Sequence, residues 1–265
     1  SQLLIATENY AAAHGVLPPG TIEAKGPIQS VPVGYHMGWL AQLLPYFEQG
    51  SVYDQIDFSV GAYHARNAAA RDIGLSLLHC PSSTWTAGGG SSYAGCHHDV
   101  EAPIDADNHG VLFLNSAIGW NDLLDGRAQT ILIGERFNLG PNLGWMSGTR
   151  STLANTGTPI NLTSRLGGPA FAVGISAEEL PALDDPAQPR DDASRPVWQF
   201  QPQAPGQAPG GAAALVVGGF ESMHPGGAQF GFGDGSVRFL SQDVDHLTYQ
   251  RLGHRADGAL LDERY

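Results

Sequence analysis

Apolar residues recur with helical spacing in three stretches of the N-terminal third of the chain. Residues 2–14 consist mostly of strong helix formers, and Gly15 followed by prolines ends this stretch. A second apolar face runs through residues 38–56, where Pro45 divides the predicted helix into two short pieces. Residues 63–78 are the third stretch predicted to be helical. The pattern therefore predicts a helical N-terminal third made largely of short segments.

Strand patterns follow these helical segments. Residues 110–115 and 129–137 are short apolar runs that predict strands. From residue 229 to residue 240, apolar and small residues alternate on both sides of Asp234-Gly235. This pattern predicts a β-hairpin whose type I′ turn has positive φ at both central residues.

Together these elements predict an α+β fold, with residues 1–265 forming a single domain. We expect the N-terminal helix to pack on an antiparallel β-sheet with large loop insertions. The helices of residues 38–78 would cover the other face of the sheet. Residues 177–213, rich in Pro, Ala, Gln and Gly, are predicted to form a long, irregular surface excursion or a mobile loop.

Composition and charge exclude several classes of function. The chain has 13 basic and 26 acidic residues, which gives a formal net charge of −13. Binding to nucleic acid or to anionic lipid requires clustered Lys and Arg, so both are excluded as main functions. No run of 18 apolar residues is present to span a membrane. The 35 glycines and 18 prolines indicate many turns and few long helices.

Six short motifs follow one another along almost the whole chain. They are Asn9-Tyr10 to Pro18-Pro19-Gly20, Gly38-Trp39 to Glu48-Gln49, Cys80-Pro81-Ser82, Ser92-Tyr93-x-Gly95, Asp125-Gly126 to Gly134-Glu135, and His224-Pro225-Gly226-Gly227 to Asp234-Gly235. In this order they resemble a large family of bacterial prepilin-like secreted proteins. That family is described by a C-terminal His-x9-Asp-Gly signature, here residues 224–240 with their hairpin, and by a domain of unknown function.

The resemblance implies a protein of type IV pilin or type II secretion pseudopilin character, with a pilin-like head in which the N-terminal helix packs on an antiparallel sheet. A prepilin leader would be cleaved and the new N-terminus methylated, and a long hydrophobic helix would anchor the protein in the membrane. Residues 1–14 would then be the end of that helix, whose apolar part is missing from this sequence. The head would lie outside the cytoplasm, in the periplasm or at the cell surface, and its partners would be other pilin-like subunits. The family offers no settled enzymatic activity, so we expect a non-enzymatic structural role.

Two groups of side chains are candidate metal ligands. His224 and Asp234, with Glu135 at the end of a predicted strand, carry the imidazole and carboxylate groups that suit zinc or another transition ion. The alternative is that His224 and Asp234 have separate structural roles, because one strand of the hairpin lies between them. Asp105 and Asp107 resemble the start of a calcium-binding loop, which lacks the bidentate Glu at its end.

The cysteines and a histidine pair add further candidates. Cys80 and Cys96 would close a loop of about 15 residues, and a disulfide between them would stabilise the fold by roughly 3 kcal/mol. Since both cysteines have histidine neighbours, a metal site is the alternative. The run His97-His98-Asp99-x-Glu101 could also bind a transition ion if a loop brought these side chains together.

Two other classes of function remain open. Trp85 lies in a Gly- and Ser-rich loop and could stack on a sugar, so a cell-surface module that binds a metal or a glycan is one alternative. The second is a metal-dependent hydrolase, which would need His224, Glu135 and another acid in one coordination sphere. The sequence contains no Gly-x-Ser-x-Gly, His-Glu-x-x-His or P-loop motif.

Overall fold

A five-stranded β-sheet, in the order β5-β3-β4-β6-β7, forms the centre of the structure. The structure is a computed structural model that describes residues 1–83, 89–137, 143–165 and 211–259. All neighbouring strands of this sheet pair antiparallel except β3 and β5, which pair parallel. With six helices in the described ranges, the fold is α+β and its sheet is mainly antiparallel, as predicted.

The bounds of the elements are as follows. The strands are β1 (Thr21–Ile22), β2 (Met37–Gly38), β3 (Tyr93–His98), β4 (Ile131–Glu135), β5 (Leu153–Asn155), β6 (Gly227–Phe232) and β7 (Val237–Ser241). The helices are α1 (Gln2–His14), α2 (Trp39–Leu43), α3 (Gly50–Tyr53), α4 (Ala68–Arg71), α5 (Leu162–Arg165) and α6 (His246–Gly253). Strands β1 and β2 form a separate two-stranded sheet.

Helix α1 lies against the central sheet, as the sequence predicted. It ends at Gly15, whose φ of 78° is left-handed and whose N–H bonds to the carbonyl of Ala11. Leu4 packs directly on the backbone of Gly231 in β6. A Cβ atom at Gly231 would come within 2.8 Å of the Leu4 side chain, so any larger residue there would have to displace Leu4.

The predicted helical stretches form short pieces around a large apolar core. Pro45 opens a 3-10 helix, Leu44–Phe47, between α2 and α3, which confirms the predicted break. These pieces pack on the same side of the sheet as α1, in a core that contains the fully buried Trp39 and Trp145. The expectation that they cover the opposite face was therefore wrong.

Helix α6 covers that opposite face, and the sequence pattern did not predict it. Tyr249 and Leu252 join a second core with Phe230 of β6, whose ring meets the Tyr249 ring at a centroid distance of 5.8 Å. Asp245 caps the helix by accepting a 2.8 Å hydrogen bond from the N–H of Thr248. With only eight residues, α6 shows too little periodicity to be detected from sequence.

Residues 110–115 do not form the predicted strand. This segment is buried but bent: the N–H groups of Val111 and Leu112 both donate to the carbonyl of Cys96, and Asn115 has a φ of 51°. An apolar run of this length can therefore fill the core without pairing regularly. The strand predicted at 129–137 is confirmed as β4. Strands β3 and β5 were missed.

The hairpin of β6 and β7 is confirmed, but its turn differs from the prediction. Gly235 has a φ of 84°, whereas Gly233 and Asp234 keep negative φ. The N–H of Gly235 donates to the carbonyl of Phe232 at 3.0 Å, which makes a type I turn followed by a left-handed residue. The predicted type I′ turn is therefore wrong, although the residue at which the chain reverses was placed correctly.

The predicted excursion and the expected lack of a membrane-spanning segment can be compared with the described residues only in part. Most of the predicted excursion, 177–213, lies outside them, and its last residues belong to a 3-10 helix, Gly211–Ala214. In the ranges that the structure covers, no helix has both the length and the apolar character needed to cross a bilayer.

We predict that Gly235→Val destabilises the protein by about 1–2 kcal/mol, because a β-branched residue at positive φ is strained. A Cβ atom at this position would meet nothing within 4 Å, so the cost is one of backbone conformation alone. Gly74→Val is the matched control, since Gly74 is also open and has no positive φ. Equal melting temperatures for the two variants in thermal unfolding would contradict the turn.

Candidate metal centre

Glu135, the last residue of β4, is a buried carboxylate at the end of a central strand. Only 5% of its side chain is exposed. Its Oε2 atom accepts hydrogen bonds from Ser222 Oγ at 2.7 Å and from the N–H of Gln229 at 2.9 Å. These two donors fix the carboxylate and leave Oε1 facing away from them.

Cys80 and His224 lie on the side to which Oε1 points. The Cys80 thiol donates to Oε1 at 3.3 Å, and His224 Nε2 lies 3.2 Å from the same oxygen. Cys80 Sγ and His224 Nε2 are 3.7 Å apart. Sulfur, nitrogen and oxygen from three distant parts of the chain therefore converge on one point. We call Cys80, Glu135 and His224 the thiol site.

Local structure explains how these side chains are held. Cys80 follows a 3-10 helix, Ser76–Leu78, and its carbonyl accepts the N–H of Ser83 at 2.9 Å. Ser222 holds the segment that carries His224: its hydroxyl accepts the N–H of His224 at 3.0 Å while donating to Glu135. The N–H of Ser222 in turn donates to Asn161 Oδ1 at 2.7 Å.

The thiol site is mostly shielded from solvent but open on one side. Cys80 is 9% exposed, and the His224 side chain is 31% exposed. Burial and the neighbouring Glu135 raise the pKa of the Cys80 thiol. Burial, with smaller contributions from the neighbouring Cys80 and Glu135, also raises the pKa of Tyr93 to about 12. Without a cation, both groups therefore keep their protons at neutral pH.

The structure brings together only part of the metal site predicted from sequence. His224 and Glu135 meet, but Asp234 lies at the far end of the hairpin, where it accepts hydrogen bonds from the backbone and hydroxyl of Ser236. The intervening strand β6 separates it from His224, so the grouping with Asp234 was wrong. Cys80 takes its place, and the only sequence signal for this was the pair of adjacent residues His79 and Cys80.

The predicted disulfide is contradicted by the structure. Both cysteines are free and buried. Cys96 points into the second core, where its sulfur contacts the carbonyls of His98 and Gly253 at 3.7 Å, while Cys80 faces Glu135 and His224. The two thiols have no shared environment, because alternation along β3 turns Cys96 towards α6.

The predicted His97–Glu101 cluster is divided among three places. His97 turns inward and bonds Asn108, and burial lowers its pKa to about 3. Glu101 accepts hydrogen bonds from Asn155, Thr158 and the backbone of Gly218. Only His98 and Asp99 stay together.

A new neighbour, His109, joins His98 and Asp99. Asp99 Oδ1 lies 2.6 Å from His98 Nδ1 and 2.9 Å from His109 Nδ1, and we call these three residues the histidine cluster. Burial acts to raise the pKa of Asp99, but hydrogen bonding and the charge of His98 outweigh this effect. The net result is a pKa lowered to about 2. The carboxylate therefore stays ionised.

Neither remaining site candidate gains support. Asp105 Oδ1 accepts the N–H of Ala106 at 2.8 Å, and in the described chain neither Asp105 nor Asp107 joins a group of three possible Cys, His, Asp or Glu ligands. Calcium binding there stays a prediction. Trp85 lies outside the described residues.

Comparison with known proteins places the domain in a family. The family model described as "Protein of unknown function (DUF1559)" matches residues 1–247. The chain belongs to this family. No curated protein and no solved structure matches this DUF1559 chain. The match contains Cys80, Glu135 and His224, so the thiol site lies within the DUF1559 domain.

We predict that the unreduced, denatured DUF1559 protein contains two titratable thiols, because Cys80 and Cys96 have different partners. The measurement is thiol titration in denaturant with a chelator present, checked by intact mass. A protein without reactive thiols whose mass is lower by two hydrogens would contain the disulfide, and would contradict this prediction.

We predict that Glu135→Ala lowers the free energy of unfolding by about 2–3 kcal/mol, because the buried donors of Ser222 and Gln229 would lose their acceptor. Glu135→Gln should cost less, since its amide oxygen still accepts from them. Glu8→Ala is the control: Glu8 forms an exposed 2.7 Å ion pair with Arg127, which contributes about 0–1 kcal/mol. Denaturant unfolding measures all three, and similar losses for Glu135→Ala and Glu8→Ala would contradict this role.

Proposed function

We propose that this DUF1559 protein is a non-enzymatic, prepilin-like structural subunit that acts outside the cytoplasm. The observation that carries the proposal is the position of α1 on the antiparallel sheet, with Leu4 against Gly231. This is the arrangement that the resemblance to prepilin-like proteins implies for a pilin head. The ordered motifs of the chain, from Asn9-Tyr10 to Asp234-Gly235, support the same proposal.

The outer edge of the sheet offers a surface for contacts between subunits. Strand β7 is the last strand of the sheet and pairs with β6 on one side only, within the described part of the chain. Val237 and Phe239 are each 47% exposed on it, and Ile5 of α1 is 59% exposed. An edge strand that carries exposed apolar side chains is a typical surface for association with another chain. We therefore propose other pilin-like subunits as the partners.

The alternatives gain unequal support. The hydrolase alternative needs a second acid beside His224 and Glu135, and the described residues place Cys80 there instead. The convergence of three different donor atoms favours metal binding, which is compatible with a structural subunit. Glycan binding has no supporting observation, because its candidate Trp85 lies outside the described residues.

We predict that the protein purified from its native cells begins with a methylated residue that opens a long apolar segment upstream of Ser1. Mass spectrometry of the mature N-terminus tests this, with a cytoplasmic protein from the same cells as the control for adventitious methylation. A mature chain that begins near Ser1, or one that keeps an uncleaved leader, would contradict the proposal.

A further inference from the structure

We propose that Cys80, Glu135 and His224 bind a divalent transition-metal ion of the zinc class, with a fourth position left for water. The inference does not depend on the proposed structural role. Its basis is the arrangement of three different ligand atoms, Sγ, Oε1 and Nε2, which face one another at 3.2–3.7 Å.

The separations fit a tetrahedral metal ion. Zinc binds sulfur at about 2.3 Å and nitrogen or oxygen at about 2.0–2.2 Å, so two ligands at a tetrahedral angle lie about 3.4–3.6 Å apart. The thiol site has edges of 3.3 Å from Sγ to Oε1, 3.7 Å from Sγ to Nε2 and 3.2 Å from Nε2 to Oε1. Shifts of a few tenths of an ångström would therefore complete the coordination.

The donor set selects the kind of ion. Calcium and magnesium take oxygen ligands, so a site with one thiolate and one imidazole does not suit them. One sulfur, one nitrogen and one oxygen suit zinc, or cobalt as its spectroscopic substitute. On binding, the Cys80 thiol loses its proton to solvent, and the sulfur–metal bond replaces its hydrogen bond to Oε1.

A second reading of the same residues, a cysteine nucleophile activated by histidine, fits the geometry less well. In such a catalytic group, the acid binds the ring nitrogen opposite the one that faces the nucleophile. In the thiol site, both Glu135 Oε1 and Cys80 Sγ approach Nε2 of His224. Three ligands that face a common point are typical of a metal site and not of a proton relay.

The surroundings of Glu135 resemble the outer shell of a metal site. Carboxylate ligands in such sites are held by hydrogen bonds to their other oxygen. Ser222 and the N–H of Gln229 occupy Oε2 in this way, and Oε1 stays directed at Cys80 and His224. Ser222 is therefore a positioning residue, since it also bonds the backbone of His224.

The histidine cluster is a weaker candidate and supplies a control. His98 Nδ1 lies 2.6 Å from the ionised Asp99 carboxylate and donates to it, so this nitrogen has no lone pair left to bind a metal. His109 is half-exposed, and its removal should leave the thiol site intact. Cys96→Ala is the matched control for Cys80→Ser, because Cys96 is the other cysteine of the chain and lies in the second core.

The test is titration of the reduced, chelator-treated protein with Co²⁺, followed by displacement with Zn²⁺. We expect one equivalent of Co²⁺ to produce a thiolate-to-cobalt charge-transfer band in the near ultraviolet and visible bands of tetrahedral intensity. Cys80→Ser should abolish the charge-transfer band. His224→Asn and Glu135→Gln should weaken Co²⁺ binding at least about tenfold, and Ser222→Ala about 10–100-fold. Cys96→Ala and His109→Ala should bind as the wild type does.

Several results would overturn the site. These are a wild-type protein without the charge-transfer band, a band that survives in Cys80→Ser, and a band that Cys96→Ala removes. Circular dichroism establishes that each variant is folded. If Cys80→Ser does not fold, His224→Asn decides, because His224 is partly exposed and its loss perturbs packing least. Undiminished Co²⁺ affinity in a folded His224→Asn would reject the proposal.

Discussion

The buried carboxylate of Glu135 is the constraint on which this side of the structure depends. A carboxylate with so little exposure is tolerated only if donors replace the water that it has lost. Those donors come from Gln229 of β6, from Ser222 and from the Cys80 thiol. The carbonyl of Glu135 also accepts the N–H of Glu221 at 3.1 Å. One side chain and its backbone thus tie the end of β4 to three other segments.

The parts of the fold that the sequence predicted are those decided by local rules. Apolar alternation around a turn located the β6–β7 hairpin, and the apolar run Ile131-Leu132-Ile133 located β4, although a similar run at 110–115 forms no strand. Pro45 interrupts a helix wherever it stands, and Gly15 ends one because it adopts left-handed φ freely. The same rules failed at the turn type, because Asp234-Gly235 occurs in more than one class of tight turn.

The remaining features are decided by contacts between distant segments. Strand β3 contains Gly95 and two histidines, a composition that does not predict a strand, yet pairing with β4 and β5 on both sides makes it one. In the candidate site, residue type grouped His224 with Glu135, and the structure places these two side chains 3.2 Å apart. Cys80 was assigned to a disulfide, because a spacing along the chain does not show which side of a strand a cysteine occupies. Only the packed sheet reveals that the Cys96 side chain points away from Cys80.

The order of the strands also has a consequence for how the chain folds. The β6–β7 pair joins neighbours in sequence, whereas Tyr93 must find Glu135, and Ile131 must find Phe232, across long intervening segments. Closing such loops costs entropy before the paired strands return any stabilisation, so sheets of this kind fold slowly. We therefore expect the local hairpin to form first and the central strands β3 and β4 to join it later. Strand edges that wait for a distant partner are open to pairing with other chains, so slow completion of this sheet would favour aggregation.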